Sequence, residues 1–332
     1  MATTTATISA TKNTDLLLLE SHQVESLLEL APVLEAVQQA FALHSRREGR
    51  VFPLVRERLH TGGVFGIKSG DIAAQNVLGF KAAGFWPGNR ALASEPHQAT
   101  ILLIDPATGR PLCLVDGNAV TTLRTGAAGG MGLQLLARPA SQSLCLFGTG
   151  VQGRIQLDYA LLLLPQIKQV RYATSNGEPN VAFEARYSAR CDLLHARDVN
   201  AAVAASDVVI TATTGGGALF DLAAVQPGTH FSCIGSDTRG KRELPDGLLP
   251  RARLFVDDQA QASTLGELQW APATPSTEIG DLLTGQVQFT RQPGDITVFD
   301  STGIALQDLT VAQMLLQRAT ATQAGTRIHW PW

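Results

Sequence analysis

Cysteine is scarce in this 332-residue chain, and Cys113, Cys145, Cys191 and Cys233 form no CxxC pair. That spacing excludes a disulfide framework and a cysteine zinc site, and leaves four thiols whose neighbours read mostly as buried strands. The seven histidines show no HExxH or comparable spacing, so no metal ligand is assigned. Basic clusters are also missing, and the formal charge of -3 offers no surface for nucleic acid. Long apolar runs are absent too: Leu16–Leu19 and Leu161–Leu164 fall far short of the ~20 residues a membrane helix needs. The opening MATTTATISATKNT has no apolar signal core and reads as a frayed tail. These absences, with reduced thiols, imply a cytoplasmic protein whose partners are small molecules.

What is present is organised around SLCLFGTGVQGRIQLDYALLLLP, Ser143 to Pro165. Ser143 to Phe147 is a short apolar strand, and from Arg154 the spacing is helical until Pro165 stops it. Between them Gly148, Gly150 and Gly153 supply G-x-G-x-x-G. Gly148 permits the tight turn, Gly150 leaves room for a pyrophosphate, and Gly153 lets the helix lie close to the strand. An ordinary glycine turn is the alternative, but Gln169 to Thr174 and Ser206 to Thr214 read as further strands of a dinucleotide-binding unit.

Before this unit, Asp15 to Glu20 reads as a strand and Ser21 to Arg47 as helix. Val51 to Leu59, Gly63 to Ser69, Val77 to Phe85, Ala99 to Asp105 and Pro111 to Val115 read as an antiparallel sheet broken by glycine and proline turns. Thr121 to Ala137 is an alanine- and glycine-rich helix suited to close packing, a connector between two domains. From Thr125 to about Gly303 strands and helices alternate as in a doubly wound parallel sheet. Ile304 to Arg318 is a last amphipathic helix, able to return to the first domain.

A few charged residues stand in apolar surroundings. Lys81 lies mid-strand in LGFKAAGFWPGN, where a solvated lysine would have polar neighbours in alternation; the alternative is a lysine snorkelling to an edge. Arg124 opens the small-residue helix, and Arg56 and Arg58 share one face of an early strand. Asp237 follows the strand HFSCIGS, where ligands of open α/β sheets collect.

Four segments in order, LVDGNAVTTLRTGAAGGMGLQLLARP, FGTGVQG, GSDTRGKREL and VFDSTGIALQD, resemble the ornithine cyclodeaminase/mu-crystallin family across nearly the whole chain. The resemblance implies a Rossmann domain, 125–303, inserted into an α+β substrate and dimerisation domain built from 1–124 and 304–332. It implies NAD(H) or NADP(H), an amino or imino acid substrate, and a homodimer. Position by position, it makes Arg56, Lys81 and Arg124 the holders of the substrate carboxylate, with Thr302 beside them, and Asp237 the acid/base at nitrogen. Gly148, Gly150, Val151, Gln152 and Gly153 fall at the pyrophosphate, Thr174, Ser175 and Asn176 at the ribose, and Thr213 and Ser301 near the nicotinamide. Arg58, two positions on, competes with Arg56.

The ribose position carries no acidic residue after Ala173, so a 2′-phosphate is not repelled and NADP(H) is admitted. That absence favours a reductase of the cyclic ketimines Δ1-pyrroline-2-carboxylate or Δ1-piperideine-2-carboxylate over an ornithine cyclodeaminase recycling bound NAD. An alanine-type dehydrogenase and a non-catalytic, cofactor-dependent binding protein remain alternatives.

Overall fold

The computed structural model describes residues 15–330, and the tail expected to fray lies outside them. The chain runs through β1 (Asp15–Leu19), α1 (Ser21–Leu27), α2 (Leu30–Ser45), β2 (Gly49–Val51), β3 (Val55–Arg58), β4 (Val64–Ile72), β5 (Val77–Phe85), β6 (His97–Ile104), β7 (Pro111–Asp116) and α3 (Gly117–Leu136). It continues as β8 (Ser143–Phe147), α4 (Val151–Leu163), β9 (Gln169–Ala173), α5 (Val181–Tyr187), β10 (Asp192–His195), α6 (Val199–Ala204), β11 (Val208–Thr211) and β12 (His230–Cys233). β13 (Arg253–Val256), α7 (Gln259–Leu265), β14 (Ser276–Glu278), α8 (Ile279–Thr284), β15 (Thr297–Asp300), α9 (Ala305–Thr322) and β16 (Thr326–His329) complete it.

Prolines divide two segments that periodicity reads as continuous. The expected helix from Ser21 to Arg47 breaks between α1 and α2, because the ring of Pro32 clashes with the carbonyl four residues back, at Leu28. The expected strand from Val51 to Leu59 likewise parts around Pro53 into β2 and β3, both paired with β4.

The first sheet has the order β16-β1-β7-β6-β5-β4-β2, with β3 also on β4. The strands from β2 to β7 pair antiparallel, as expected, and the sheet becomes mixed only where β1 joins it: β1 runs parallel to β7, with Leu17 opposite Cys113. The two are joined by the whole meander rather than a hairpin, so no tight turn imposes opposite directions. β16, from the far end of the chain, closes on β1 antiparallel. The helical face of this sheet buries Ile101, Leu103, Cys113 and Val115 against α2, α3 and α9.

The second sheet is parallel throughout, in the order β10-β9-β8-β11-β12-β15-β13-β14. The order reverses between β8 and β11, which opens a crevice at their carboxyl ends. The fold is thus α/β, a Rossmann-like parallel sheet joined to a mixed-sheet lobe. α3 belongs to both lobes, running unbroken through the boundary expected at 124/125. Its glycines make this possible: a Cβ at Gly126 or Gly129 would press into Tyr159 or Gln156 of α4.

All four cysteines are free and buried, as expected. Among the described residues no helix is long and apolar enough to cross a membrane.

Candidate active site

A cavity of about 550 Å³ opens where the carboxyl edge of the parallel sheet faces the mixed sheet. Its walls bring together Arg56, Lys81, Arg124, Gln152, Asp237 and the Ser301–Thr302 pair, from opposite ends of the sequence.

The cation side is built on β4, β5 and α3. Lys81 is almost fully buried, and its Nζ lies 2.8 Å from Asp308 Oδ1 and 3.4 Å from Thr121 Oγ1. Arg124 sits in the second turn of α3 rather than at its start, with Nε 3.1 Å from the same Asp308 oxygen. Its Nη1 donates to Gln307 Oε1 at 3.2 Å. Asp308 occupies the first turn of α9, where a helix N-terminus favours a carboxylate. Burial raises the pKa of Asp308, but Lys81 and Arg124 pull it below the ordinary value.

Two groups here lack a role in the family-based assignment. Asp308 closes the segment VFDSTGIALQD, yet helical spacing alone does not say that it turns toward Lys81. Lys68 stands directly opposite Lys81 in the β4–β5 register and also lines the cavity. Its Nζ donates to the carbonyls of Thr302 and Gly303 at 2.8 and 2.5 Å. Desolvation, then the charge of Arg124, lowers Lys68 to about 8 and Lys81 to about 7. Two lysines at the middle of adjacent strands were the available signal.

Asp237 occupies the opposite wall, beyond the carboxyl end of β12, with its side chain 42% exposed to the cavity. Lys241 Nζ lies 2.8 Å from its Oδ1, and Arg56 Nη2 lies 3.7 Å from Oδ2. Burial acts to raise the pKa, but Lys241 and Arg56 bring it to about 2. The cations prevail, and the group is a carboxylate at neutral pH. Arg56 also donates to Asp237 O at 2.8 Å and Thr238 Oγ1 at 3.0 Å, bridging the lobes. Arg58 is exposed at the cavity rim, so Arg56 is the inner member of the pair.

The glycine turn fits a diphosphate. Gly148 has φ +97°, a left-handed conformation, and a Cβ on Gly153 would collide with Gly148 O. A Cβ at Gly150 would meet nothing within 4 Å, so the space above the turn is open. α4 starts at Val151 with no side-chain cap, leaving its first N–H groups available to an anion. Asn180 Nδ2 donates to Thr149 Oγ1 at 2.9 Å, tying the turn to the loop after β9.

In that loop Ser175 and Asn176 are exposed, while Thr174 Oγ1 donates to Glu178 O at 2.7 Å. Thr213 lies two residues beyond β11, the strand beside β8, with its N–H and hydroxyl both directed to Glu243 Oε1. The neighbouring Thr214 lines the cavity in its place. Thr302 Oγ1 donates to Asp257 Oδ1 at 2.9 Å and Ser301 Oγ reaches Oδ2 at 3.4 Å. Their hydroxyls therefore shape the 301–303 loop. Gly303 has φ +78°, and a Cβ there would strike the Arg124 guanidinium.

A glycine turn at the switch point of a parallel sheet, facing a cationic sheet lobe, defines a two-lobed Rossmann-type protein with a cation-lined cleft. The chain belongs to the ornithine cyclodeaminase/mu-crystallin family, which it matches over residues 14–323. It is 34% identical to an iminosuccinate reductase of Paracoccus denitrificans, over 92% of this chain and 97% of that protein. It is 31% identical to a Δ1-pyrroline-2-carboxylate reductase of Colwellia psychrerythraea, over 90% and 96%. Among solved structures, it is similar to an archaeal alanine dehydrogenase dimer with bound NAD, at TM-score 0.88 and 29% identity over 95% of this chain and 99% of that one.

Proposed function

We propose that this chain is an NAD(P)H-dependent oxidoreductase that reduces the C=N bond of a 2-imino acid. The ring imines Δ1-pyrroline-2-carboxylate and Δ1-piperideine-2-carboxylate would give L-proline and L-pipecolate. The observation that carries this reading is the opposition, across one cavity, of an ionised Asp237 and the cations Arg56, Lys81 and Arg124. Two of the relatives named above support it, since their names describe reductions of imino acids.

Arg124 and Arg56 hold the substrate carboxylate through paired N–H donors, and Lys81 adds a point charge. A carboxylate fixed in this way sets C2 and the imine nitrogen in one orientation, which removes much of the entropic barrier. A reduced nicotinamide held above the glycine turn would supply the hydride to C2. Asp237, kept ionised by Lys241, accepts the N–H of a protonated imine and stabilises its positive charge. Its part in reduction is thus to hold a proton at nitrogen; in the reverse direction it takes one up.

The test is loss of reduced-nicotinamide absorbance with each ring imine, with pyruvate plus ammonia, and with ornithine plus NAD. The imines should oxidise the cofactor, and ornithine should release no ammonia. Formation of proline and ammonia from ornithine without net cofactor change would replace the reductase reading with a cyclodeaminase.

A further inference from the structure

We propose that His44, Asp258 and Glu278 form a site for one divalent transition-metal ion, zinc by the chemistry of its ligands, which fastens α2 of the mixed-sheet lobe to the Rossmann lobe. The site stands apart from the cavity and takes no part in the reaction proposed above.

Geometry is the first reason. The three residues come from α2, the N-cap of α7 and the last position of β14, and each brings one ligand atom within 4.8 Å of the others. His44 Nε2 lies 3.0 Å from Asp258 Oδ2 and 3.8 Å from Glu278 Oε2. Ligand atoms bound at about 2.0–2.1 Å around a tetrahedral zinc ion stand about 3.3 Å apart. The two separations fall on either side of that value, so a single ion reaches His44 and both carboxylates with small shifts, and its fourth position is left for water.

The second reason is what the surrounding bonds leave unmet. Asp258 Oδ1 accepts from Gln261 N at 2.7 Å as the cap of α7, and its Oδ2 is turned toward His44. Glu278 Oε1 accepts from Gln259 N at 3.2 Å, while its Oε2 is buried without a hydrogen bond. Each carboxylate is thus held through one oxygen and offers the other. The His44 side chain is 8% exposed, and neither ring nitrogen has a hydrogen-bond partner. Buried polar atoms left in this state are costly. An ion where they meet takes the lone pair of Nε2, with the proton on Nδ1, and satisfies Glu278 Oε2 as well.

Charge agrees with this. The cation beside the two carboxylates is Arg47, with Nη2 3.6 Å from Glu278 Oε2 on a side chain 70% exposed. A divalent ion with two carboxylates and a neutral imidazole has no net charge. One nitrogen ligand favours zinc over magnesium or calcium, which take oxygen. The alternative for the same three residues is an imidazolium ion pair, which binds no metal.

The site lies on a joint already packed. Ser45 Oγ donates to Asp281 Oδ1 at 2.6 Å, and a Cβ at Gly280 would collide with Phe41 O. Asp257, next to Asp258 in the chain, accepts from Thr302 Oγ1 and Gly303 N behind the cavity. The ion therefore steadies α2 against the segment that carries the 301–303 loop.

The test uses the full chain, stripped with EDTA and titrated with zinc chloride against a chromophoric chelator. It should bind one zinc per chain, and its melting temperature should rise by about 5 °C or more at a hundredfold excess over Kd. His44→Gln and Glu278→Gln should each weaken zinc binding by about a hundredfold or more and abolish the rise. Glu278→Gln keeps an oxygen for Gln259 N, so it serves if His44→Gln does not fold. The readout is the rise that zinc induces, which a lower metal-free melting temperature does not imitate. No zinc binding by the native chain would overturn the inference in favour of the ion pair. Undiminished binding in both variants would overturn it by placing the metal elsewhere, and magnesium binding more tightly than zinc would overturn the choice of ion.

Discussion

Asp237 shows how one side chain's neighbours decide its chemistry. Lys241 and Arg56 outweigh burial and hold it near pKa 2, so an amide in its place loses the charge that stabilises an iminium. Asp237→Asn should lower turnover by about two orders of magnitude while cofactor binding, followed by fluorescence titration, persists. Near-normal turnover would take Asp237 out of the mechanism. On the facing wall, Lys81 and Lys68 titrate from about 7 and about 8, and it is their charged forms that attract a carboxylate. The affinity for a simple carboxylate such as cyclopentanecarboxylate should therefore fall as pH rises through that range. Asp308 is one of the groups raising Lys81. Asp308→Asn should move the decline to lower pH, and an unmoved profile would mean that Lys81 does not govern binding.

At the scale of single elements, the β8 to α4 junction separates two uses of glycine. Gly150 faces open space, whereas Gly153 lies against the carbonyl of Gly148. Gly150→Val should leave the melting temperature unchanged and weaken NADH or NADPH binding by about tenfold or more, about 1.4 kcal/mol. Gly153→Ala should instead destabilise the fold by about 1–3 kcal/mol through overpacking. Equal melting temperatures for the two variants would contradict this division. A second junction joins the lobes away from the cavity: His44 of α2 lies 3.0 Å from Asp258 and 3.8 Å from Glu278. No sequence spacing connects these three, since they come from α2, the N-cap of α7 and the end of β14.

For the whole molecule, the outer face of the mixed sheet matters most. Leu18, Leu114, Leu102 and Phe80 fall in one register row across β1, β7, β6 and β5, and Leu114 is 37% exposed. These side chains point away from the face that α2, α3 and α9 cover. A row of this kind is apolar surface of the sort that packs against another copy of a chain; the archaeal alanine dehydrogenase named above is a dimer. Leu114→Asp should shift the mass in analytical ultracentrifugation from dimer to monomer without loss of helical signal. A native chain that sediments as a monomer would exclude this face as the contact.

Much of this architecture is written locally. Apolar runs bounded by turn residues specify β5 and β6, the glycine spacing specifies the turn after β8, and Pro165 ends its helix. The order of four motifs carries the family, and with it Arg56, Lys81, Arg124 and Asp237. Other features depend on segments far apart in the chain. The parallel pairing of β1 with β7 joins strands separated by the whole meander, and the seating of Asp308 between Lys81 and Arg124 arises only when α9 folds back onto the first lobe. The ionisation of Asp237 and the lowered pKa of Lys68 are likewise tertiary, because a pKa is set by the charges and water left around a group, and no local pattern records those.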